Sequence, residues 1–321
     1  MDKGLIWIAL TAFAVTAVAE ALLLPMLRRL KIGQMILRIG PSWHMHKQGT
    51  PTMGGIAFLC AAAVIALTLP LTVGIADKAL ILTLLYAILN GGVGALDDAV
   101  KLTRKQNEGL SAASKLVLQL LLSLAYLVAL WQIGALSGKI YIPFLAFEAD
   151  LGALFIPFGV IFLSGFTNAV NLTDGLDGLC SSVTAAVAFT LAALSVRFGQ
   201  TGGAVISLLV LGASLAFLIF NHHPAKVFMG DTGSLFLGAA VSSAALIYLG
   251  GAVLFAIGAV YLFEAVSVIL QVGYYKLTKK RLFLIAPYHH HLERKGRSER
   301  WITLTFSTLT LMLGAVCYAF A

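Results

Sequence analysis

One carboxylate pair and a single acid lie beside apolar runs, where they could bind a cation or transfer protons. Asp97 and Asp98 are adjacent at the end of one run, and Asp231 directly precedes another. Helix ends beside a membrane do not need acids for solvation, so carboxylates there indicate a cation site or proton chemistry. Consecutive helical residues point about 100° apart. One member of the Asp97 and Asp98 pair can therefore face a metal while the other faces a nucleophile; a solvated pair past a helix end is the alternative.

A second segment repeats amide and carboxyl side chains at every third position. Its members are Asn168, Asn171, Asp174 and Asp177. If the segment is helical, successive members lie on neighbouring parts of one face. If the glycines after Asp174 and Asp177 open a turn, backbone N–H groups become available to an anion. The alternative is a polar hairpin between two spans.

Two further segments offer groups that suit a nucleotide. Asn221 and Phe228 precede Asp231 and supply amide hydrogen bonds and a ring on which a base can stack. Asp231 could instead be a helix cap. Lys47 and Thr52, in a glycine-containing segment, supply an ammonium and a hydroxyl for phosphate or ribose, although a loop-to-helix turn uses the same glycines.

Three consecutive histidines, His289, His290 and His291, follow a basic run. They cannot all point one way on a regular backbone, so a three-histidine metal site is not expected. Imidazoles that hydrogen-bond an anionic or polyhydroxyl substrate fit better, and an exposed, inert run is the alternative.

The composition shows which elements position these groups. Of 321 residues, 60% are apolar and 11% are charged, with a mean hydropathy of +0.94. A soluble domain carries roughly 25% charged residues. The composition therefore excludes a soluble, disordered or nucleic-acid-binding protein, despite a net charge of +8.

The apolar residues form continuous runs long enough to cross a bilayer as helices. Ten runs lie at about 4–27, 52–74, 79–96, 115–134, 152–168, 179–196, 203–220, 233–250, 252–275 and 301–321. The sequence predicts an all-α polytopic membrane protein of about ten transmembrane helices, forming one domain over residues 1–321. A small hairpin is expected around Gly138, from Lys139 to Phe147. Glu20 and Glu264, inside spans, are expected to be paired, protonated or turned to a cavity.

Basic residues predict the orientation. Segments 28–51, 97–115, 168–178, 221–234 and 276–300 hold 18 of the 22 Lys and Arg residues, and the other side holds 4. The positive-inside rule puts the basic face in the cytoplasm. Both termini then lie outside. All seven histidines and most of the acids fall on the cytoplasmic side, so the candidate site lies at the cytoplasmic helix ends.

Five segments in order resemble the signatures of the phospho-N-acetylmuramoyl-pentapeptide transferase family (the MraY translocases), among the polyprenyl-phosphate N-acetylhexosamine-1-phosphate transferases. They are Gly49–Gly55, Asn90–Asp98, Asn168–Leu179, Asn221–Leu235 and Pro287–Glu293. The resemblance covers essentially the whole chain. It implies a Mg²⁺-dependent enzyme of the bacterial plasma membrane that moves phospho-MurNAc-pentapeptide from UDP-MurNAc-pentapeptide to undecaprenyl phosphate. The products are lipid I and UMP, in the first membrane step of peptidoglycan synthesis. It also implies a homodimer that nucleoside antibiotics such as tunicamycin target.

The resemblance implies a role for each site residue. Asp97, Asp98 and Asp231 are the catalytic candidates. Asp231 binds Mg²⁺, to which Asn171 and Asp97 could contribute directly or through water, and Asp98 positions or deprotonates the lipid phosphate. The substrate-binding candidates are Lys47, Thr52, Lys115, Asn168, Asn171, Asp174, Asp177, Asn221, Phe228, His289, His290 and His291. Among these, Asp174, Asn221 and Phe228 suit uridine, whereas Lys47, Thr52 and Lys115 suit phosphate or ribose. The histidines suit the sugar-phosphate.

Two alternative functions remain open at this point. A sister transferase that moves GlcNAc-1-phosphate to a polyprenyl phosphate shares the aspartate segments, although the histidine segment favours the MurNAc-pentapeptide enzyme. A cation- or proton-coupled transporter would use Glu20 and Glu264 as a relay. Transporters place their sites near the bilayer midplane, whereas here the polar groups crowd one surface.

Overall fold

A computed structural model describes residues 3–29, 47–72, 77–104, 109–142 and 147–321. Helices dominate it, as the continuous apolar runs predict. In chain order the elements are α1 (Lys3–Arg29), α2 (Ile56–Thr72), α3 (Lys78–Arg104), α4 (Ala112–Gln132), β1 (Lys139–Ile142), β2 (Phe147–Asp150), α5 (Phe155–Thr173), α6 (Leu179–Arg197), α7 (Thr201–Asn221), α8 (Gly230–Leu249), α9 (Ala252–Ile257), α10 (Ala259–Thr278), α11 (Tyr288–Arg294) and α12 (Glu299–Phe320).

Eight described helices are long and apolar enough to cross a membrane. They are α1, α3, α4, α5, α6, α7, α8 and α12. The all-α polytopic class is therefore confirmed, whereas the count of ten spans stays a prediction. The second predicted span corresponds to α2, which has 17 described residues. The ninth is interrupted: Gly258 lies between α9 and α10, packed on Phe166 of α5, and breaks the helix where the sequence predicts one run.

Helix α8 is the centre of the bundle and packs on α3, α5 and α7. In its most apolar stretch 89% of the residues are buried, against 28% in α1, α4 and α12. The peripheral helices present large apolar side chains outward, as lipid-facing helices do, with Trp7 and Leu121 as examples. Helix α8 is therefore enclosed by protein along most of its length, whereas its first two residues, Gly230 and Asp231, are only partly buried.

Successive long helices run antiparallel, so the connections alternate between two ends of the bundle. At one end β1 and β2 pair antiparallel, with Lys139 opposite Asp150, which confirms the predicted hairpin. Residues 143–146 of that prediction lie outside the described residues, and the second strand begins at Phe147. Arg197 and Tyr318, at the ends of α6 and α12, meet on the same side. The opposite end gathers the polar segments.

Candidate active site

Three carboxylates meet where α3 crosses the start of α8. Asp97 and Asp98 lie in the last part of α3, and Asp231 is the second residue of α8. Each offers one oxygen within 4.8 Å of the other two. The sequence predicted these three residues to act together, and the structure brings them together although 133 positions separate Asp98 from Asp231.

Glycines make this approach possible. A Cβ on Gly94 of α3 would collide with the backbone carbonyl of Asp231 and come within 2.5 Å of the Thr232 nitrogen. A Cβ on Gly55, at the start of α2, would reach the Met229 carbonyl oxygen at 2.8 Å. Because only glycine leaves room for backbone at these distances, the two residues allow α2 and α3 to pack directly on the start of α8.

Asp98 caps helix α8 from a neighbouring helix. Its Oδ1 accepts a hydrogen bond from the Asp231 N–H at 3.2 Å, and its Oδ2 accepts from the Thr232 N–H at 3.0 Å and the Thr232 hydroxyl at 2.7 Å. A carboxylate at this position satisfies otherwise unpaired N–H groups and favours the positive end of the helix. The capping role that the sequence left open for Asp231 therefore belongs to Asp98, and Asp231 directs its side chain into the site.

The Asp231 carboxylate is held by two lysines and an amide. Its Oδ2 accepts from Lys101 Nζ at 2.9 Å and Lys115 Nζ at 3.0 Å, and its Oδ1 accepts from Asn171 Nδ2 at 2.7 Å. Lys115 and Asn171 are predicted site residues. Sequence reasoning missed Lys101, which also lies 2.6 Å from Asp97 Oδ2. Its spacing of four residues from Asp97 on one helix could have indicated this ion pair.

Asp174 lies just beyond α5, partly buried beside the cluster. Burial, together with the negative charges of Asp231 and Asp98, raises its pKa to about 8. Asp174 is therefore mostly protonated at neutral pH and can donate a hydrogen bond.

A second, separate network contains Lys47 and Asp177. Lys47 Nζ lies 2.7 Å from Asp177 Oδ1 and 2.6 Å from Glu299 Oε2, and all three side chains are buried. Asp177 Oδ2 also accepts from the Ala225 N–H and faces His223 Nδ1, each at 3.0 Å. Burial alone would raise the pKa of Asp177, but Lys47, Ala225 and His223 outweigh it and hold that pKa below its usual range. The network ties four connecting segments together.

The Lys47 network predicts a matched pair of stability effects. Glu299→Gln leaves a buried ammonium without one of its two carboxylates, and we expect a loss of about 3–5 kcal/mol of unfolding free energy. Glu148→Gln removes one partner of the exposed Lys139–Glu148 pair at the other end. That change should cost less than about 1 kcal/mol. Thermal unfolding of the two variants in detergent, followed by intrinsic fluorescence, measures the contrast.

Equal melting temperatures for the two variants would contradict a buried, stabilising network.

The contribution of Asp177 to the free energy of unfolding also has a defined pH dependence. Because its folded-state pKa is lowered, its stabilising effect is complete above the ordinary carboxyl pKa and is lost as the pH falls through the lowered value.

The three histidines of α11 have different environments. His289 is fully buried. Its backbone N–H donates to Glu264 Oε1 at 3.1 Å, and its ring Nδ1 lies 3.1 Å from Glu264 Oε2. His290 Nδ1 lies 2.7 Å from Glu293 Oε2, and His291 Nδ1 accepts from the Leu284 N–H at 3.1 Å. The expectation that they do not point one way agrees with this geometry. Glu264, a buried acid of α10, is thereby paired, one of the outcomes expected for it.

His289 also connects α11 to the carboxylate side of the site. Its ring packs against Gly175, where a Cβ would come within 2.8 Å of the ring Cε1. Gly175 follows Asp174 directly. The buried Glu264–His289 pair therefore places α11 next to the α5–α6 turn.

The remaining predicted residues lie beside the carboxylate cluster or the Lys47 network. Thr52 lies beside Gly230, next to Asp98. Asn168 donates to Gln119 of α4 and to the Ser164 carbonyl, so it joins two helices one turn below Asn171. Asn221 is buried, with its oxygen accepting from the Gly178 N–H and its nitrogen donating to the Val227 carbonyl. The half-buried Phe228 exchanges backbone hydrogen bonds with Pro51 and Gly54.

An open recess of about 1190 Å³ adjoins the histidines, between the end of α10 and α11, and its lining is mostly apolar with several basic side chains. Its walls include His290 and His291 and carry no carboxylate among the described lining residues. The basic side chains that line it are Lys276, Lys279, Arg281, Arg294 and Lys295. This recess can attract an anionic ligand.

The Asp97, Asp98 and Asp231 cluster fits a hard divalent cation. Three carboxylate oxygens within 4.8 Å supply the donor type that Mg²⁺ and Ca²⁺ prefer. Asp231 is 15% exposed, so water can complete the coordination. A second trio of suitable spacing, Asp177, His223 and Glu299, already contacts the Lys47 ammonium from two sides.

Comparisons with known proteins agree with this site. The family model described as glycosyl transferase family 4 matches residues 80–249, and the phospho-N-acetylmuramoyl-pentapeptide-transferase signature 1 matches residues 47–59. The first range contains the three carboxylates, and the second contains Lys47, Thr52 and Gly55.

Relatives that align over nearly the whole chain have the same name as this signature. The chain is 42% identical over 322 residues to the phospho-N-acetylmuramoyl-pentapeptide-transferase of Clostridium perfringens strain 13, covering 99% of each. It is 40% identical over 314 residues to that of Halalkalibacterium halodurans, covering 97% of this chain and 96% of the relative. It is 39% identical over 309 residues to that of Clostridium novyi, covering 96% and 94%.

Proposed function

The chain belongs to the phospho-N-acetylmuramoyl-pentapeptide-transferase family, and we propose that it moves phospho-MurNAc-pentapeptide from UDP-MurNAc-pentapeptide to undecaprenyl phosphate, releasing UMP and forming lipid I. The resemblance recognised in the sequence is thereby confirmed. The observation that carries the proposal is the group of three carboxylates and two lysines at one end of the bundle.

The reaction exchanges one phosphoanhydride for another. An oxygen of the lipid phosphate attacks the sugar-bearing phosphorus, the bond to the UMP oxygen breaks, and UMP leaves with that electron pair. Because the bonds broken and formed are alike, catalysis needs mainly positioning and charge neutralisation. A lipid phosphate at pH 7 is already largely dianionic, since its second pKa is near 6. A strong general base is therefore unnecessary.

Each site residue has a separate role in the proposed transfer reaction. Asp231 and Asp97 would hold Mg²⁺, with Asn171 beside them, and the ion when bound would neutralise charge on the diphosphate. Lys115 contacts phosphate oxygens. Asp98 acts as a positioning residue, because its capping bonds fix the start of α8 and hence Asp231. Asp174 offers its carboxyl group to uracil, and Phe228 supplies a stacking surface.

The basic recess beside His290 and His291 suits the sugar and peptide end of the donor. MurNAc-pentapeptide is larger than GlcNAc and carries at least one peptide carboxylate. An open cleft rimmed by ammonium, guanidinium and imidazole groups matches that size and charge.

Substrate choice tests the proposal most directly. We expect the purified protein to release UMP from UDP-MurNAc-pentapeptide when undecaprenyl phosphate and Mg²⁺ are supplied, with at most trace release from UDP-GlcNAc. Since the bonds exchanged are alike, UMP added to lipid I should regenerate the UDP-sugar. A coupled assay for UMP measures both donors in parallel. Efficient use of UDP-GlcNAc with no product from the larger donor would instead establish the sister transferase.

Orientation is a second part of the proposal. The 18 basic residues that the predicted topology assigns to one side support a site that faces the cytoplasm from a bacterial plasma membrane, with both termini outside. Single cysteines at positions 2 and 321 should react with a membrane-impermeant maleimide added to intact cells. A cysteine replacing His290 should react only after permeabilisation. Labelling of that cysteine from outside would reverse the orientation and remove the site from the cytoplasm.

A further inference from the structure

The Lys101 ammonium lies between all three carboxylates of the cluster. Its Nζ is 2.6 Å from Asp97 Oδ2, 2.9 Å from Asp231 Oδ2 and 3.7 Å from Asp98 Oδ1. Lys115 differs, because its ion pair in the described structure is with Asp231 alone, at 3.0 Å. Lys101 therefore has the position from which a single cation meets every acid of the site.

A divalent cation and this ammonium cannot share that position. Metal–oxygen distances of about 2.0–2.6 Å would bring an ion held by Asp97 and Asp231 close to the ammonium that contacts the same two carboxylates. Two positive centres so close repel each other strongly at reduced dielectric. One must leave when the other binds.

The Lys101 ammonium can move toward solvent. Lys101 follows Asp97 by one turn at the end of α3, and its side chain is 31% exposed, so it borders solvent. A flexible lysine stem can move its ammonium aside without any change in the helix. The Asp98 carboxylate cannot move similarly, because three hydrogen bonds fix it to α8.

We propose that Lys101 is a stand-in cation: it neutralises the three carboxylates until a divalent ion displaces it, and the displaced ammonium then binds the donor diphosphate. The inference rests on the proposed function, because it assigns a task to a residue of the same site. It predicts effects of opposite sign on metal affinity and on donor affinity. A lysine that only stabilised the fold would not separate them.

Metal binding tests the first half. Free Mn²⁺ is measured by electron paramagnetic resonance over titrations of the purified full chain in detergent. Lys101→Met should bind Mn²⁺ at least about tenfold more tightly than the unaltered protein, because the competing charge is gone. The matched control is Lys226→Met, since Lys226 is exposed and outside the cluster, and its affinity should be unchanged.

The unaltered protein gives an independent readout. Limited acylation followed by mass spectrometry should show Lys101 becoming several-fold more reactive when Mg²⁺ is added, with Lys226 constant. This measurement does not require the variant to fold.

Donor kinetics test the second half. At saturating Mg²⁺, Lys101→Met should raise the KM for the UDP-sugar donor several-fold even though it binds metal more tightly. An unchanged or weakened Mn²⁺ affinity in Lys101→Met, with no rise in acylation, would overturn the inference alone. If neither protein binds Mn²⁺, the proposed metal role fails with it.

Discussion

Asp231→Ala should reduce turnover at saturating Mg²⁺ by about a thousandfold or more. The change removes a carboxylate that binds both lysines and, in the proposed function, the metal; loss of one group that stabilises transition-state charge costs about a hundred- to a thousandfold on its own. UMP release from the donor measures it. The fold should survive, because Asp98 still caps α8 through backbone and hydroxyl groups that the change leaves in place.

Asp150→Ala is the matched control for Asp231→Ala. Asp150 accepts a hydrogen bond from the Gly152 N–H in the exposed hairpin at the opposite end of the bundle. Turnover should be unchanged there, and both variants should retain the elution profile of the folded protein. Near-normal activity of Asp231→Ala at saturating Mg²⁺ would remove Asp231 from the catalytic group.

Gly94→Ala should lower turnover by about a hundredfold or more through backbone geometry alone. The added methyl group would collide with the Asp231 carbonyl and the Thr232 nitrogen, neither of which can rotate away. The start of α8 must therefore shift away from α3, and misplacement of catalytic groups by about 1 Å costs on the order of a hundredfold. The melting temperature should fall as well, since overpacking costs about 1–3 kcal/mol.

Gly92→Ala separates this effect from helix propensity. Gly92 lies two residues earlier on the same helix, and a Cβ there meets no atom within 4 Å. Alanine is favoured over glycine in a helix by about 1 kcal/mol, so this variant should be as active and as stable as the unaltered protein. Equal losses in the two variants would point to a helix effect rather than to contact between α3 and α8.

The amino-acid sequence predicts the site well where chemistry and topology are local. Acids next to apolar runs, together with alternating helix direction, place Asp97, Asp98 and Asp231 at one end of the bundle, and the structure joins them. The Asp98 cap was not predicted, because the N–H groups that it satisfies belong to a helix 133 positions further along the chain. The residue pattern around Asp98 does not indicate that its hydrogen-bond partners lie at the start of α8.

The Lys47 network shows the same limit. Lys47 and Asp177 were predicted as substrate-binding residues from their types and neighbouring glycines. In the structure they are buried with Glu299, which lies 252 positions from Lys47. The ion pair was not predicted, because it depends on how the helices pack, and the substrate-binding role of Lys47 and Asp177 stays a prediction. Lys101 is different, because its spacing from Asp97 was already visible in the sequence.

The central position of α8 affects how the site responds to changes in bilayer thickness. When a bilayer thickens or thins, hydrophobic mismatch tilts and distorts the helices in contact with lipid. In this protein those are chiefly α1, α4 and α12, whereas α8 is almost wholly surrounded by other helices. Asp231, at the start of α8, is therefore shielded from direct contact with lipid, although it remains 15% exposed. We expect the geometry of the Asp97, Asp98 and Asp231 cluster to tolerate shifts in acyl-chain length and temperature that reorient the outer helices.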